Sequence, residues 1–161
     1  MPSFLRRINK AKWYPHAGVP WLRPSDLQAD ALADLYTKDN RLSVWYVDDQ
    51  VNVDDIVTAL AATRDAPTNF DYVLVDERTI TILDIAIRPS PFDTPDARVN
   101  SLHRDFVELT DFKLRSLAGV IALRKPTRMA PSDVKSRLKH GVSTGVLDRA
   151  KIPAVLLERL A

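Results

Sequence analysis

The amino-acid sequence predicts an α/β domain, with α+β as the alternative: a small mixed sheet of about three strands packed against helices. Three observations carry this expectation. The run Leu42-Ser43-Val44-Trp45-Tyr46-Val47 is rich in β-branched and aromatic residues and is stopped by Asp39-Asn40-Arg41 before it and Asp48-Asp49 after it, which reads as a strand. From the capping residue Asn52, positions Val53, Ile56, Val57 and Leu60 recur at helical spacing with Asp54 and Asp55 in the first turn, which reads as an amphipathic helix. A second apolar run, Phe70 to Val75, follows, so the two strands are expected to be parallel neighbours joined by a right-handed crossover.

The other elements follow in order. Residues 3–12 place Phe4, Leu5, Ile8 and Ala11 on one helical face and Arg6, Arg7, Lys10 and Lys12 on the others, predicting a short basic amphipathic helix. The aromatic stretch Trp13 to Trp21 carries Pro15, Gly18 and Pro20, so it reads as an ordered loop, either pinned to the core or used as a platform for stacking a base. Ser25 or Asp26 can cap a helix to Thr37, with Leu27, Ala31 and Leu35 at four-residue spacing. Thr79 to Ile87 shifts the phase of its alternation. It reads as an antiparallel strand returning along Phe70–Val75 with a bulge near Leu83-Asp84, or alternatively as a short helix followed by a short strand.

Arg88 to Pro95 holds Pro89, Pro91 and Pro95 and must be a loop. Thr94-Pro95-Asp96 then reads as a helix start. Val99, Leu102, Phe106, Leu109, Leu114, Leu117, Val120 and Ile121 fit one side of a single helix to Leu123, about 40 Å long and longer than the sheet is wide. Its far half would pack on other helices or on a second subunit, and Thr110 and Lys113 interrupt its stripe. Arg124 to Pro131 reads as a basic linker. Ser132–Lys139, closed by Gly141, and Ile152–Leu160 form a helical hairpin in which Val134 and Leu138 face Ile152, Val155, Leu156 and Leu160. The expected organisation is a core domain over 1–123 and a basic linker with a small helical subdomain over 124–161. The spacing of Val134-Lys135, Leu138-Lys139, Gly141-Val142 and Leu157 to Leu160 loosely resembles the SAP helical DNA-binding motif, with a longer loop between the halves, and implies no membership.

The chain has 161 residues and no cysteine, so disulfides, thiol catalysis and thiolate metal sites are excluded. No apolar run approaches the roughly 18 residues of a membrane span and the first residues lack a secretory apolar core, so a soluble cytoplasmic protein is expected. The acid-free basic start is too poor in serine for a transit peptide. Charge is uneven: residues 1–12 carry +4, residues 13–123 carry −8 and residues 124–161 carry +6. Either the basic ends fold onto the acidic middle or they meet an anionic partner.

Four carboxylates, Asp48, Asp49, Asp76 and Glu77, would lie where two parallel strands end, an edge at which ligands bind and where Mg²⁺ could be held for a metal-dependent nuclease. Against this, acidic residues end strands because they favour turns, and Asp84-Ile85-Ala86 lacks the lysine of the restriction-type nuclease pattern. His103-Arg104-Asp105 copies the catalytic triplet of protein kinases without a glycine-rich loop. In a helix, Ser101, His103 and Asp105 would point apart rather than form a triad. His103 and Lys113 are instead candidates for an interface. No phosphate-binding glycine loop and no zinc-type histidine cluster exists, so no cofactor and no metal is expected.

The first functional expectation is a non-enzymatic protein that binds another protein, in the manner of a bacterial immunity, antitoxin or complex-accessory protein, with a homodimer among the options. The second is a nucleic-acid-binding protein using Arg6, Arg7, Lys10, Lys12, Lys135, Arg137 and Lys139. The third is the nuclease.

Overall fold

A computed structural model describes residues 1–13, 27–124 and 126–161. The aromatic stretch from Tyr14 to Trp21 and the capping residues Ser25 and Asp26 lie outside the described residues.

The α/β class holds, and the sheet is twice the expected size. Its strands are β1 (Ser3–Ile8), β2 (Leu42–Val47), β3 (Phe70–Asp76), β4 (Ala86–Pro89), β5 (His103–Val107) and β6 (Thr127–Met129), in the order β4-β5-β2-β1-β3-β6. Every pairing is antiparallel. The strands β2 and β3 do point the same way, because both pair with β1, but β1 lies between them. The helix α3 (Val53–Ala61) therefore crosses from one side of the N-terminal strand to the other. Its start is the predicted one: the Asn52 side chain accepts from the Asp54 N–H at 3.0 Å.

The N-terminal helix expected over 3–12 is a strand. Phe4 and Ile8 enter one core and Leu5 the other, so the segment is buried on both faces and a period of two serves it better than a helical stripe. Only Lys10–Trp13 forms a one-turn helix, α1. Helix α2 (Ala29–Leu32) and a 3₁₀ turn over Ala33–Leu35 lead to the reversal at Asp39-Asn40, both with positive φ, between Lys38 and Arg41, whose backbones exchange hydrogen bonds.

Segment 77–89 takes the alternative form, helix then strand. Helix α4 (Glu77–Ile82) is capped by Asp76, and Asp84, at φ 51°, redirects the chain into β4 at the far edge of the sheet.

The single helix expected over 95–123 is a helix, a strand and a helix: α5 (Ala97–Asn100), β5 and α6 (Asp111–Leu123). Asp96 caps α5 and Thr110 caps α6, so the stripe was interrupted at Thr110 because a new helix begins there. Glu108, at φ 57°, separates β5 from α6. The basic linker contains the edge strand β6. Helix α7 (Pro131–Ser143) runs through Gly141 and ends before Gly145, at φ 73°. Helix α8 (Ala154–Leu160) buries Leu156 and Leu160, while Val155 faces outward.

The sheet separates two cores. On one face Leu5, Trp45, Phe70 and Tyr72 pack with α3, α7 and α8; on the other Phe4, Val44, Val73 and Phe106 pack with α4 and α6. Residues on both sides of position 124 contribute to the first core. Among the described residues no helix is long and apolar enough to cross a membrane.

Candidate functional site

The four carboxylates fall at one end of the sheet in two separate pairs. Ser3 of β1 pairs with Val47 on one side and Asp76 on the other, which sets the strand ends two spacings, roughly 10 Å, apart. Asp76 accepts from the Thr79 hydroxyl at 2.7 Å and the Thr79 N–H at 2.8 Å and pairs with Arg124. The Thr79 hydroxyl leads these contacts in holding its carboxyl below the usual range, against a smaller cost of burial. Asp48 accepts from the Gln50 N–H at 2.9 Å, Asp49 stands 3.4 Å from the Met1 amino group, and Glu77 occupies the first turn of α4. Among the described residues no group of three or more His, Asp or Glu could hold a metal ion.

The basic ends fold onto the acidic middle. Arg124 pairs with Asp76, Arg128 with Asp71 at 2.7 Å, Arg137 with Asp54 and Lys151 with Asp93 at 2.5 Å; near the start, Lys12 pairs with Asp34 at 3.4 Å. Asp71 is the tightest case. Burial pushes its carboxyl up, but two Arg128 hydrogen bonds and the Lys10 N–H outweigh burial and hold it below the usual range. Arg6 is spent on the backbone, giving Nη1 to the Ser43 carbonyl at 2.8 Å and Nη2 to the Asp34 carbonyl. Arg7, Arg137 and Lys139 are exposed and Lys10, Lys12 and Lys135 half-buried.

His103 lies on β5, where residues two apart share a face. Its Nδ1 meets the Ser90 hydroxyl at 2.7 Å and its Nε2 faces Asp105 at 3.8 Å, beyond hydrogen-bond length. The ring is buried beside Trp45 and Phe92, with centroids at 5.1 and 4.6 Å. Burial pushes it below its ordinary value, although the Ser90 carbonyl and Asp105 oppose the shift. Lys113 is at the surface of the second helical layer, where it hydrogen-bonds the Asp84 carbonyl and pairs with the Asp84 carboxylate at 3.1 Å.

That layer holds the feature most unlike an ordinary solvated surface. Beyond Arg115, α6 reads Ser116-Leu117-Ala118-Gly119-Val120-Ile121-Ala122-Leu123 without a charge. Leu117, Ala118, Ile121 and Ala122 are buried against the sheet. Val120 leans on the same core, and the stripe Phe112, Ser116, Gly119 and Leu123, spaced by four, three and four residues, keeps to one side of the helix, exposed at its ends and half-buried at Ser116 and Gly119. Phe112 is 77% exposed and Leu123 59%. Ile82, 72% exposed, lies two residues from Asp84, and Phe112 is the neighbour of Lys113, so the ion pair between these residues links the apolar ends of α4 and α6. A surface helix ordinarily carries charged or polar residues on its outer face.

Comparison with models of protein families, with curated proteins and with solved structures finds no match.

Sequence periodicity singled out Lys113, which pairs with Asp84 of its own chain, and did not single out Phe112, Ser116, Gly119 or Leu123. The available signal was the uncharged run, which in sequence reads as the far half of one long helix packed on other helices or on a second subunit.

Proposed function

We propose that the chain is a non-enzymatic protein that works by binding another protein, with the outer face of α6 and the adjoining end of α4 as its contact surface. The observation that carries this reading is the eight-residue uncharged run whose outward half ends in exposed Leu123 and begins one turn beyond exposed Phe112. Large apolar side chains left exposed on one helix face, with no charge between them, fit an interaction site better than a solvated surface. The partner the face fits best is a second copy. The stripe reads large, small, small, large in both directions, so an antiparallel copy related by a twofold axis sets Phe112 against Leu123 and Ser116 against Gly119. The small central residues let the two helix backbones approach. The nucleic-acid reading has less to draw on, because Arg124, Arg128, Arg137 and Lys151 are paired with acids of the same chain.

The test is capture by an immobilised tagged chain, offered an untagged copy and then a lysate of the source cells. Wild type retains the copy, and the variant Phe112→Glu with Leu123→Glu loses it while its melting temperature stays within a few degrees. Equal retention of every captured protein by wild type and variant removes this surface from the account.

A further inference from the structure

The sheet is not closed between β1 and β2. Their ladder covers only Ser3 to Leu5 opposite Val47 to Trp45, whereas β1 stays with β3 as far as Ile8 opposite Asp71. Past Leu5 the gap is bridged by the Arg6 guanidinium, which reaches the Ser43 and Asp34 carbonyls. A cavity of about 530 Å³ lies at this gap, with Arg6, Arg7, Lys12, Ser43, Trp45 and Phe92 among its walls.

Two of the wall residues carry a buried donor that has no acceptor among the described residues. Trp45 is only 4% exposed, and its indole Nε1 meets no acceptor among the described residues. Arg6 Nε is likewise buried and unpartnered. Both atoms can only donate, so a further donor cannot satisfy them, and leaving them bare costs free energy. The charge of the lining has the same sign. Among the described lining residues Arg6, Arg7 and Lys12 face a single acid, Asp34, which already pairs with Lys12 at 3.4 Å. Burial depresses Arg6 to about 10 even with Asp34 near, so the site holds a cation without a full counter-charge. The wall opposite the charges is aromatic: Phe92 meets Trp45 edge-on at 5.2 Å.

We propose that this cavity is a binding site for a small organic anion, a carboxylate or phosphate joined to an aromatic or apolar body. The oxyanion takes the Trp45 and Arg6 N–H groups with Arg7 and Lys12 as counter-charges, and the body lies along Trp45 and Phe92. The site is remote in sequence from α6, on which the protein-binding surface rests, and the two proposals stand or fall separately.

The experiment is a titration of the full chain with inorganic phosphate, phenyl phosphate, benzoate and the neutral control phenol. The indole N–H resonances are followed by NMR, and Trp45 is assigned through Trp45→Phe. Phenyl phosphate or benzoate is expected to move the Trp45 N–H downfield as it gains an acceptor, with phenol without effect. Whichever of the two binds tighter assigns the site to phosphate or to carboxylate, and saturation by inorganic phosphate alone shows that the body contributes nothing and overturns that half of the proposal. Arg7→Gln, an exposed substitution that leaves the fold in place, weakens binding about tenfold or more through loss of one charge-assisted contact. A Trp45 resonance unmoved by every probe at millimolar concentration overturns the site, as does a shift that Arg7→Gln leaves unchanged.

Discussion

On one side of the sheet α7 carries Asp133, Lys135, Arg137, Lys139 and His140 around its buried Val134 and Leu138, whereas on the other side α6 has no charge after Arg115 around its buried Leu117 and Ile121. Both helices are 13 residues long and both fill their core with leucine. Their inward faces therefore do similar work, and the difference lies wholly outside. The α7 layer is sealed by its own chain through Arg137 and Asp54, while the α6 layer presents Phe112 and Leu123 to whatever comes next. Stability and recognition can thus be separated by which side of a helix is changed.

The largest effect should be common to both layers. Leu138→Ala in α7 and Leu117→Ala in α6 each remove a buried side chain and are expected to cost about 2–5 kcal/mol of unfolding free energy in urea denaturation. A loss in one layer alone would mean that the two cores are not equivalent. Next in size is Gly141→Ala on the α7 side. Its new methyl would sit 2.8 Å from Leu147 Cδ1 and Cγ, and overpacking there is expected to cost about 1–3 kcal/mol despite the better helix propensity of alanine. The outward substitutions Phe112→Ser and Leu123→Ser should change unfolding free energy by less than about 0.5 kcal/mol, in contrast to their effect on association.

The two faces also differ in acid. His103, on the α7 side of the sheet, is held below its ordinary value of about 6.5, so its contribution to stability is complete above that pH and is lost as pH falls through the depressed folded value. Asp71, on the α6 side, and Asp96 are depressed carboxyls whose contribution is complete above about 4 and is lost as pH falls further through their folded values. Unfolding free energy measured against pH should decline gently below about 6.5 and steeply below about 4. His103→Gln removes the gentle limb and keeps the steep one; a gentle limb that survives the substitution assigns it to another group.

Part of this was legible in residue order alone. Leu42–Val47, the Asn52 cap with α3 behind it, and Phe70–Val75 stand as expected, because each has a clean period and a chemical stop at its ends. Residues 3–8 and 103–107 were misread for one physical reason. A short strand buried on both faces has no alternation to show, and Phe4, Leu5 and Ile8 or Val99, Leu102 and Phe106 satisfy a helical stripe as well. The sheet therefore lost its central strand and its β5, and the two predicted strands were placed side by side. Charge asymmetry was visible from the start, but only the fold shows that Arg128 grips Asp71 and Arg137 meets Asp54. The gap between β1 and β2 could not be foreseen while Arg6 was assigned to an exposed helix face.

The most direct test of the contact surface compares the two layers in one experiment. Sedimentation equilibrium of the wild type, of Phe112→Glu with Leu123→Glu on α6, and of Lys135→Glu with Lys139→Glu on α7 reports mass against concentration. The wild type and the α7 variant are expected to approach twice the 18.1 kDa chain mass as concentration rises, and the α6 variant to remain at it. A wild type that stays at the chain mass throughout, or an α6 variant that associates as the wild type does, would contradict pairing through α6.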